Sequence, residues 1–171
     1  MLNTDLAVFF AISMTSRPIP TKGVPSTTPR QFTETKIAYF SMEIGIHPDI
    51  HTYAGGLGIL AGDMVRSATD LGIPLVGVTL LYDKGYLKQT FDGSGWQNDG
   101  EDAWNANGIM RALPTVALTL SGKCVAVSGF LYVYAGASGK TNPVIFLSTN
   151  LEENPPEVRE ITARLYAGDD H

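Results

Sequence analysis

A single cysteine, Cys124, stands in a chain of 171 residues. The sequence therefore offers neither an internal disulfide nor a cysteine pair for structural zinc. No base lies near it in sequence to activate a thiolate, and its small and apolar neighbours predict a buried strand thiol. The absence of disulfide pairs suits a cytoplasmic protein. Charge is sparse as well: charged residues make up 17% and the formal net charge is -5. With no run of Lys or Arg, nothing draws this chain to nucleic acid or to an anionic membrane surface. Long apolar runs are missing too. The apolar stretch 6–12 falls far short of the ~20 residues that span a bilayer. No basic residue precedes it and no small-x-small cleavage site follows, so a short helix or disordered start is expected rather than an export signal. The dinucleotide pattern Gly-x-Gly-x-x-Gly and the Gly-Lys-Ser/Thr of a P-loop are also absent.

What is present is the composition of a folded domain, with 44% hydrophobic residues. Residues 1–36 read as a linker or disordered segment. Pro18, Pro20, Pro25 and Pro29 lie there among Ser, Thr and Gly with little apolar periodicity. The folded region is expected from near Lys36 to the end, as one α/β domain over residues 37–171. Ile37-Ala38-Tyr39-Phe40 has the form of a short buried strand. After Gly55-Gly56, a stripe of Leu57, Leu60, Ala61, Met64, Ala68 and Leu71 at spacings of three and four predicts a helix, which Gly72 ends. Residues 75–81 form a second apolar strand. Strand, glycine loop, helix and strand make one βαβ unit with parallel strands.

Farther along, residues 86–91 alternate loosely and Asp92-Gly93-Ser94-Gly95 marks a turn. Residues 115–120 alternate cleanly up to Ser121-Gly122, and an apolar stretch resumes at Cys124, which predicts a β-hairpin. Residues 144–148 form another strand. Asn154-Pro155-Pro156-Glu157 opens a helix expected to run through Ile161 and Leu165. The chain stops soon after, at Ala167-Gly168-Asp169-Asp170-His171, an odd place for a domain to end.

Chemistry concentrates around Gly55-Gly56-Leu57-Gly58. Adjacent glycines at a helix start let an anion or sugar approach the backbone, where free N–H groups and the helix dipole meet it. A tight loop that merely packs the helix on the sheet explains the glycines equally well. Ser41-Met42-Glu43 follows the first strand, where open α/β sheets bind ligands. Glu43 is thus placed to bond a sugar hydroxyl or orient a loop, although on these residues alone a surface carboxylate is the favoured reading. His47 and His51 have helical metal-pair spacing, but Pro48 forbids the helix and no third ligand is near. They read as ordinary loop histidines, and no metal is expected. Asp63 reads as a local cap or pair and Arg66 as a solvated helix residue. Trp96 and Gln97 suit either sugar stacking or core support. Glu101-Asp102 and Asp169-Asp170 lack the separation across a substrate that glycoside hydrolysis needs, so both read as solvated acids.

Taken together, Ile37-Ala38-Tyr39-Phe40-Ser41-Met42-Glu43, Tyr53-Ala54-Gly55-Gly56-Leu57-Gly58-Ile59-Leu60-Ala61-Gly62-Asp63 and Ser67-Ala68-Thr69-Asp70-Leu71-Gly72-Ile73-Pro74-Leu75-Val76-Gly77-Val78 resemble the glycogen/α-glucan phosphorylase family. The likeness is to its prokaryotic α-glucan branch. It continues through Leu81-Tyr82-Asp83-Lys84-Gly85-Tyr86 and Asp92-Gly93-Ser94-Gly95-Trp96-Gln97 to Leu165-Tyr166-Ala167-Gly168-Asp169. It implies a GT-B architecture of two Rossmann-like domains, of which this chain resembles part of the N-terminal one with β-hairpin additions. It also implies phosphorolysis of α-1,4-glucan ends by phosphate to glucose 1-phosphate, assisted by the phosphate of pyridoxal phosphate, and admits a homo-oligomeric parent. By the same resemblance, Gly55 and Gly56 face the substrate and cofactor phosphates, Leu57 borders the glucose site, Glu43 lies in the same cleft, and Trp96 and Gln97 give structural support.

The likeness has gaps. None of Lys36, Lys84, Lys88, Lys123 or Lys140 matches the family's Schiff-base lysine, which belongs to the second domain. Residues 1–36 do not resemble the family's N-terminal region. The expectation is a fragment, inactive alone and of marginal stability. Two other readings fit fewer of the motifs. One is a non-catalytic glucan-binding module derived from the fold. The other is a nucleotide-sugar-dependent glucan synthase of GT-B type, which usually carries a lysine ahead of its glycines where this chain has Tyr53-Ala54.

Overall fold

The structure, a computed structural model, describes residues 37–106 and 108–166. The expected linker 1–36, its apolar stretch and Asp169-Asp170 lie outside the described residues. The chain runs β1 (Ile37–Phe40), α1 (Gly55–Leu71), β2 (Leu75–Leu80), β3 (Lys88–Phe91), β4 (Gln97–Gly100), β5 (Arg111–Ala112), β6 (Val116–Leu120), β7 (Lys123–Ala135) and β8 (Thr141–Ser148). It closes with α2 (Pro156–Arg159) and a 3-10 turn (Glu160–Thr162). The main sheet has the order β1-β2-β8-β7-β5, with β6 also paired to β7. The pairs β1–β2 and β2–β8 are parallel, while β7 runs antiparallel to β8, β5 and β6. The β3–β4 hairpin stands apart as a two-stranded antiparallel sheet.

β8 shows why the sheet is buried on both faces. Successive side chains of a strand point to opposite sides. Val144 and Phe146 pack with Ile44, Ile50, Ala61 and Val65 under α1. Ile145 and Leu147 pack on the other side with Val127, Val158 and Leu165. A parallel-sheet strand covered on both faces reads as an unbroken apolar run, and residues 144–147 are one.

The hairpin expected at Ser121-Gly122 is present. Both residues have positive φ, 48° and 77°, and Leu120 pairs with Lys123. Two central residues of positive φ are what a type I′ turn requires. Cys124 corrects the expectation of a buried thiol: it is exposed, because it sits one residue past this turn, at the outer end of β7. The last helix is also shorter than expected. It ends at Arg159, passes into the 3-10 turn, and stops before Leu165.

α1 ends as Gly72 predicts. Gly72 has φ 74°, its N–H reaches Thr69 O at 3.0 Å, and the Ile73 N–H reaches Ala68 O at 2.8 Å. This is the Schellman arrangement. The helix starts two residues earlier than the apolar stripe suggests, at Gly55, so the adjacent glycines are its first residues rather than a preceding loop. Its orientation also differs from the simple reading of the stripe. Gly58, Ala61, Gly62, Val65, Ala68 and Thr69 face inward, while Leu57, Leu60, Met64 and Leu71 are exposed.

Small inward residues bring α1 close to the backbone of the β1–α1 connection. The Gly45 N–H donates to Gly58 O at 2.9 Å. A Cβ at Gly62 would collide with the Gly45 carbonyl, and one at Gly58 with the Tyr53 side chain. Alanine is the better helix former, yet Gly62→Ala should lower stability by about 1–3 kcal/mol, since overpacking against backbone has no soft neighbour to yield. Urea unfolding of the variant beside the parent chain measures it.

Candidate functional site

The carboxyl-terminal ends of β1 and β2 converge beside the start of α1. Past β1 the chain places Ser41, Met42 and Glu43; past β2 it places Leu81 and Tyr82. Glu43 is 1% exposed, which removes the surface-carboxylate reading. Its Oε2 accepts the Ala54 N–H at 2.8 Å, and its Oε1 accepts the Tyr166 hydroxyl. Ala54 is the residue on which α1 begins, and it offers no side-chain cap of its own. Glu43 therefore fixes where the helix starts by gripping the residue just before it.

A cavity of about 240 Å³ opens beside this carboxyl group, lined by Met42, Glu43, Tyr82, Ile161, Arg164 and Tyr166 among others. Burial, with a smaller push from Glu43 and then Tyr166, raises the Tyr82 phenol from its ordinary 10.0 to about 12. The hydrogen bond to Glu43 raises the Tyr166 phenol in the same direction.

Gly55, Gly56 and Leu57 form the exposed first turn of α1. Gly55 has φ 68°, a conformation that disfavours side chains. Gly56 has no such positive φ, and a Cβ there would meet nothing within 4 Å. Packing among the described residues therefore explains Gly58 and Gly62 but leaves Gly56 unexplained.

The remaining candidates fall elsewhere. His51 Nδ1 lies 2.9 Å from Asp102 Oδ2, and its ring stacks on Trp104 at 5.8 Å. Asp102 is thus a partly buried partner rather than a solvated acid. Glu101 is exposed and paired with Lys84 at 2.5 Å, the contact that chiefly lowers its pKa. The His47 ring accepts the Asp49 N–H and packs against Tyr132, so the two histidines serve separate partners. Among the described residues no cluster of three or more His, Cys, Asp or Glu could hold a metal ion.

Asp63 pairs with Arg66 at 3.0 Å, as a local partner should. Arg66 is more than a solvated residue: its Nη2 donates to Gly45 O at 2.8 Å and Ile46 O at 3.2 Å. Trp96 is 76% exposed on the β3–β4 hairpin, so it supports no core. Gln97 Nε2 donates to Asp99 Oδ1 at 2.9 Å, two residues along the same exposed strand. Tyr82 and Arg164 were not singled out from sequence. Tyr82 had a usable signal, its position just beyond a parallel strand; Arg164 had none.

With this geometry in place, comparison with known proteins adds a family likeness. Over 143 residues the chain is 38% identical to the glycogen phosphorylase of Mycobacterium tuberculosis, a match that covers 79% of this chain and 16% of that protein. It is 42% identical over 140 residues to the glycogen phosphorylase of Aquifex aeolicus, covering 78% of this chain and 20% of that protein. The chain resembles the glycogen phosphorylases. The maltodextrin phosphorylase of Thermococcus litoralis is 37% identical over 141 residues, of which 16% of its own length is covered. The chain thus spans about a sixth to a fifth of these phosphorylases. No family model matches it. Among the described residues, no helix is long and apolar enough to cross a membrane.

Two outcomes test this geometry. Glu43→Ala removes both acceptors and leaves the half-buried Ala54 N–H without its partner, so it should cost about 1–3 kcal/mol in urea unfolding. Glu43→Gln keeps one acceptor and should cost less. The second concerns Tyr82. A folded-state pKa above the unfolded value favours folding below the unfolded pKa, and that contribution fades as pH climbs through the folded one. Stability should therefore fall between pH 10.0 and about 12. Tyr82→Phe should flatten that part of the stability–pH curve.

Proposed function

We propose that this chain is the part of an α-glucan phosphorylase that builds one wall of its active-site cleft, at the start of α1. The parent reaction is attack of phosphate on the terminal α-1,4 bond of a glucan, releasing glucose 1-phosphate in the cytoplasm. The parent has a GT-B fold, and this chain forms part of its N-terminal Rossmann-like domain. The observation that carries the reading is Gly56. It is exposed, at a helix start with no side-chain cap, and neither backbone conformation nor packing among the described residues accounts for its missing side chain. A ligand that must come close to the backbone does account for it. The similarity to glycogen and maltodextrin phosphorylases makes phosphate and a glucan end the fitting ligands.

In this reading the N–H groups of the first turn meet phosphate oxygens as negative charge moves in phosphorolysis. Fixed backbone dipoles stabilise such charge without rearranging. Leu57, exposed on the same turn, borders the sugar. Glu43 acts through position: both its oxygens are engaged by Ala54 and Tyr166, so it holds the first turn of α1 in place.

The cofactor implied is pyridoxal phosphate, whose own phosphate supplies the proton relay in this family. The residues present fit its phosphate end, at the uncapped first turn. They do not fit its aldehyde end. Lys84 is paired with Glu101, Lys123 with Glu157, and Lys140 lies against Gly72 at the far end of α1. Lys88 is exposed on β3, away from the start of α1 in sequence. By the family resemblance the attachment lysine belongs to the second domain, outside this chain, which by itself is expected to be inactive.

Gly56→Ala separates function from folding. Nothing obstructs the added methyl and alanine favours the helix, so the melting temperature of the chain should hold or rise. In a phosphorylase carrying this chain in place of its matching stretch, the same change should cut glucose 1-phosphate release from maltodextrin by at least about tenfold, the effect of losing one well-placed backbone contact. Unchanged activity sinks the reading.

A further inference from the structure

The two flanks of α1 differ. At 3.6 residues per turn, Leu57, Leu60, Met64 and Leu71 fall within about 60° of one another around the helix. All four are at least half exposed, at 57%, 62%, 50% and 72%. Asp63, Arg66 and Asp70 lie on the opposite flank, with the buried small residues between the two.

The polar flank can be placed over the sheet. Asp70 accepts the Ser138 N–H at 3.0 Å, and its carboxylate lies where a side chain on Gly136 would fall, both in the β7–β8 connection. β7 and β8 lie on one side of β2 and β1 on the other. The apolar stripe therefore sits on the flank toward β1.

β1 is an open edge on that same flank. It pairs only with β2 among the described residues. Its Ile37 N–H reaches Pro74 O and the Ser41 N–H reaches Val78 O, so residues of this parity face β2. By strand alternation, the backbone groups of Ala38 and Phe40 face outward, without a strand partner among the described residues. Ile37 is itself 41% exposed there. An exposed apolar helix flank above an unpaired strand edge is the shape left when the next strand and helix of a layered α/β sheet are absent.

We propose that this flank is the docking surface for the remainder of the phosphorylase polypeptide. That remainder lays a helix along Leu60, Met64 and Leu71, beyond the first turn that carries Leu57, and a strand along β1. The occupant follows from length: the related phosphorylases are five to six times longer than the stretch matched here, which covers 16% to 20% of them. The inference rests on the phosphorylase reading, and it adds where the rest of the enzyme joins.

The test compares two contexts. The first is the isolated chain. The second is Aquifex aeolicus glycogen phosphorylase carrying this chain in place of its own matching stretch. Leu60→Asp with Met64→Asp should leave the melting of the isolated chain unchanged. In the chimera the same pair should lower the melting temperature by several degrees or abolish soluble protein. The amides of Ala38 and Phe40 should exchange quickly in the isolated chain and slowly in the chimera.

Several results would overturn the surface. These are a chimera indifferent to the double substitution, equal destabilisation in both contexts, fast Ala38 and Phe40 exchange in the chimera, or a parent chimera that does not fold. A stable dimer of the isolated chain that Leu60→Asp dissociates would assign the flank to a second copy instead. The two readings fail separately. A chimera assembled through this flank but unable to release glucose 1-phosphate sinks the function and leaves the surface. An active chimera indifferent to the substitutions does the reverse.

Discussion

The fold turns on how closely α1 approaches the connection that precedes it. Gly45 gives its N–H to Gly58 and its carbonyl to Arg66, and its carbonyl lies where a Gly62 side chain would be. With the helix held at backbone distance there, its first turn stands next to the end of β1, and Glu43 can reach Ala54. Moving the helix outward by the width of a methyl group would separate these contacts together. The candidate site depends on that approach more than on any single polar residue.

The same approach explains which parts of the chain the sequence made legible. The strand run at 144–148 and the Ser121-Gly122 hairpin are local signals, readable from a few neighbouring residues. The existence of α1 was legible as well, but its orientation was not. Leu57, Leu60, Met64 and Leu71 repeat at helical spacing, and so do Gly58, Ala61, Val65 and Ala68. Periodicity alone cannot say which stripe faces in, and hydrophobicity favours the larger residues. The answer lay in the small ones, which permit a contact that leucine would block.

Side chains whose partners are distant in sequence were not legible. Glu43 looks like a surface acid until Ala54 and Tyr166 are seen around it, the latter far along the chain. Asp102 and Arg66 were misread in the same way, since His51 and the Gly45 carbonyl become neighbours only in the folded chain. Cys124 failed for another reason. Its neighbours alternate like a buried strand, but its place one residue after a tight turn leaves it at an uncovered corner.

The order of the sheet carries a consequence for how the chain assembles. β6, β7 and β8 are joined by short turns, so their antiparallel pairs form between near neighbours and close quickly. β2 must then find β8 across everything between Leu80 and Thr141, and parallel pairing at that separation is intrinsically slow. The meander is thus the natural early structure, and the βαβ unit that carries Glu43 and Gly56 attaches to it late. Until it does, one edge of β8 stays open, and that interval is when the chain is most exposed to pairing with another copy.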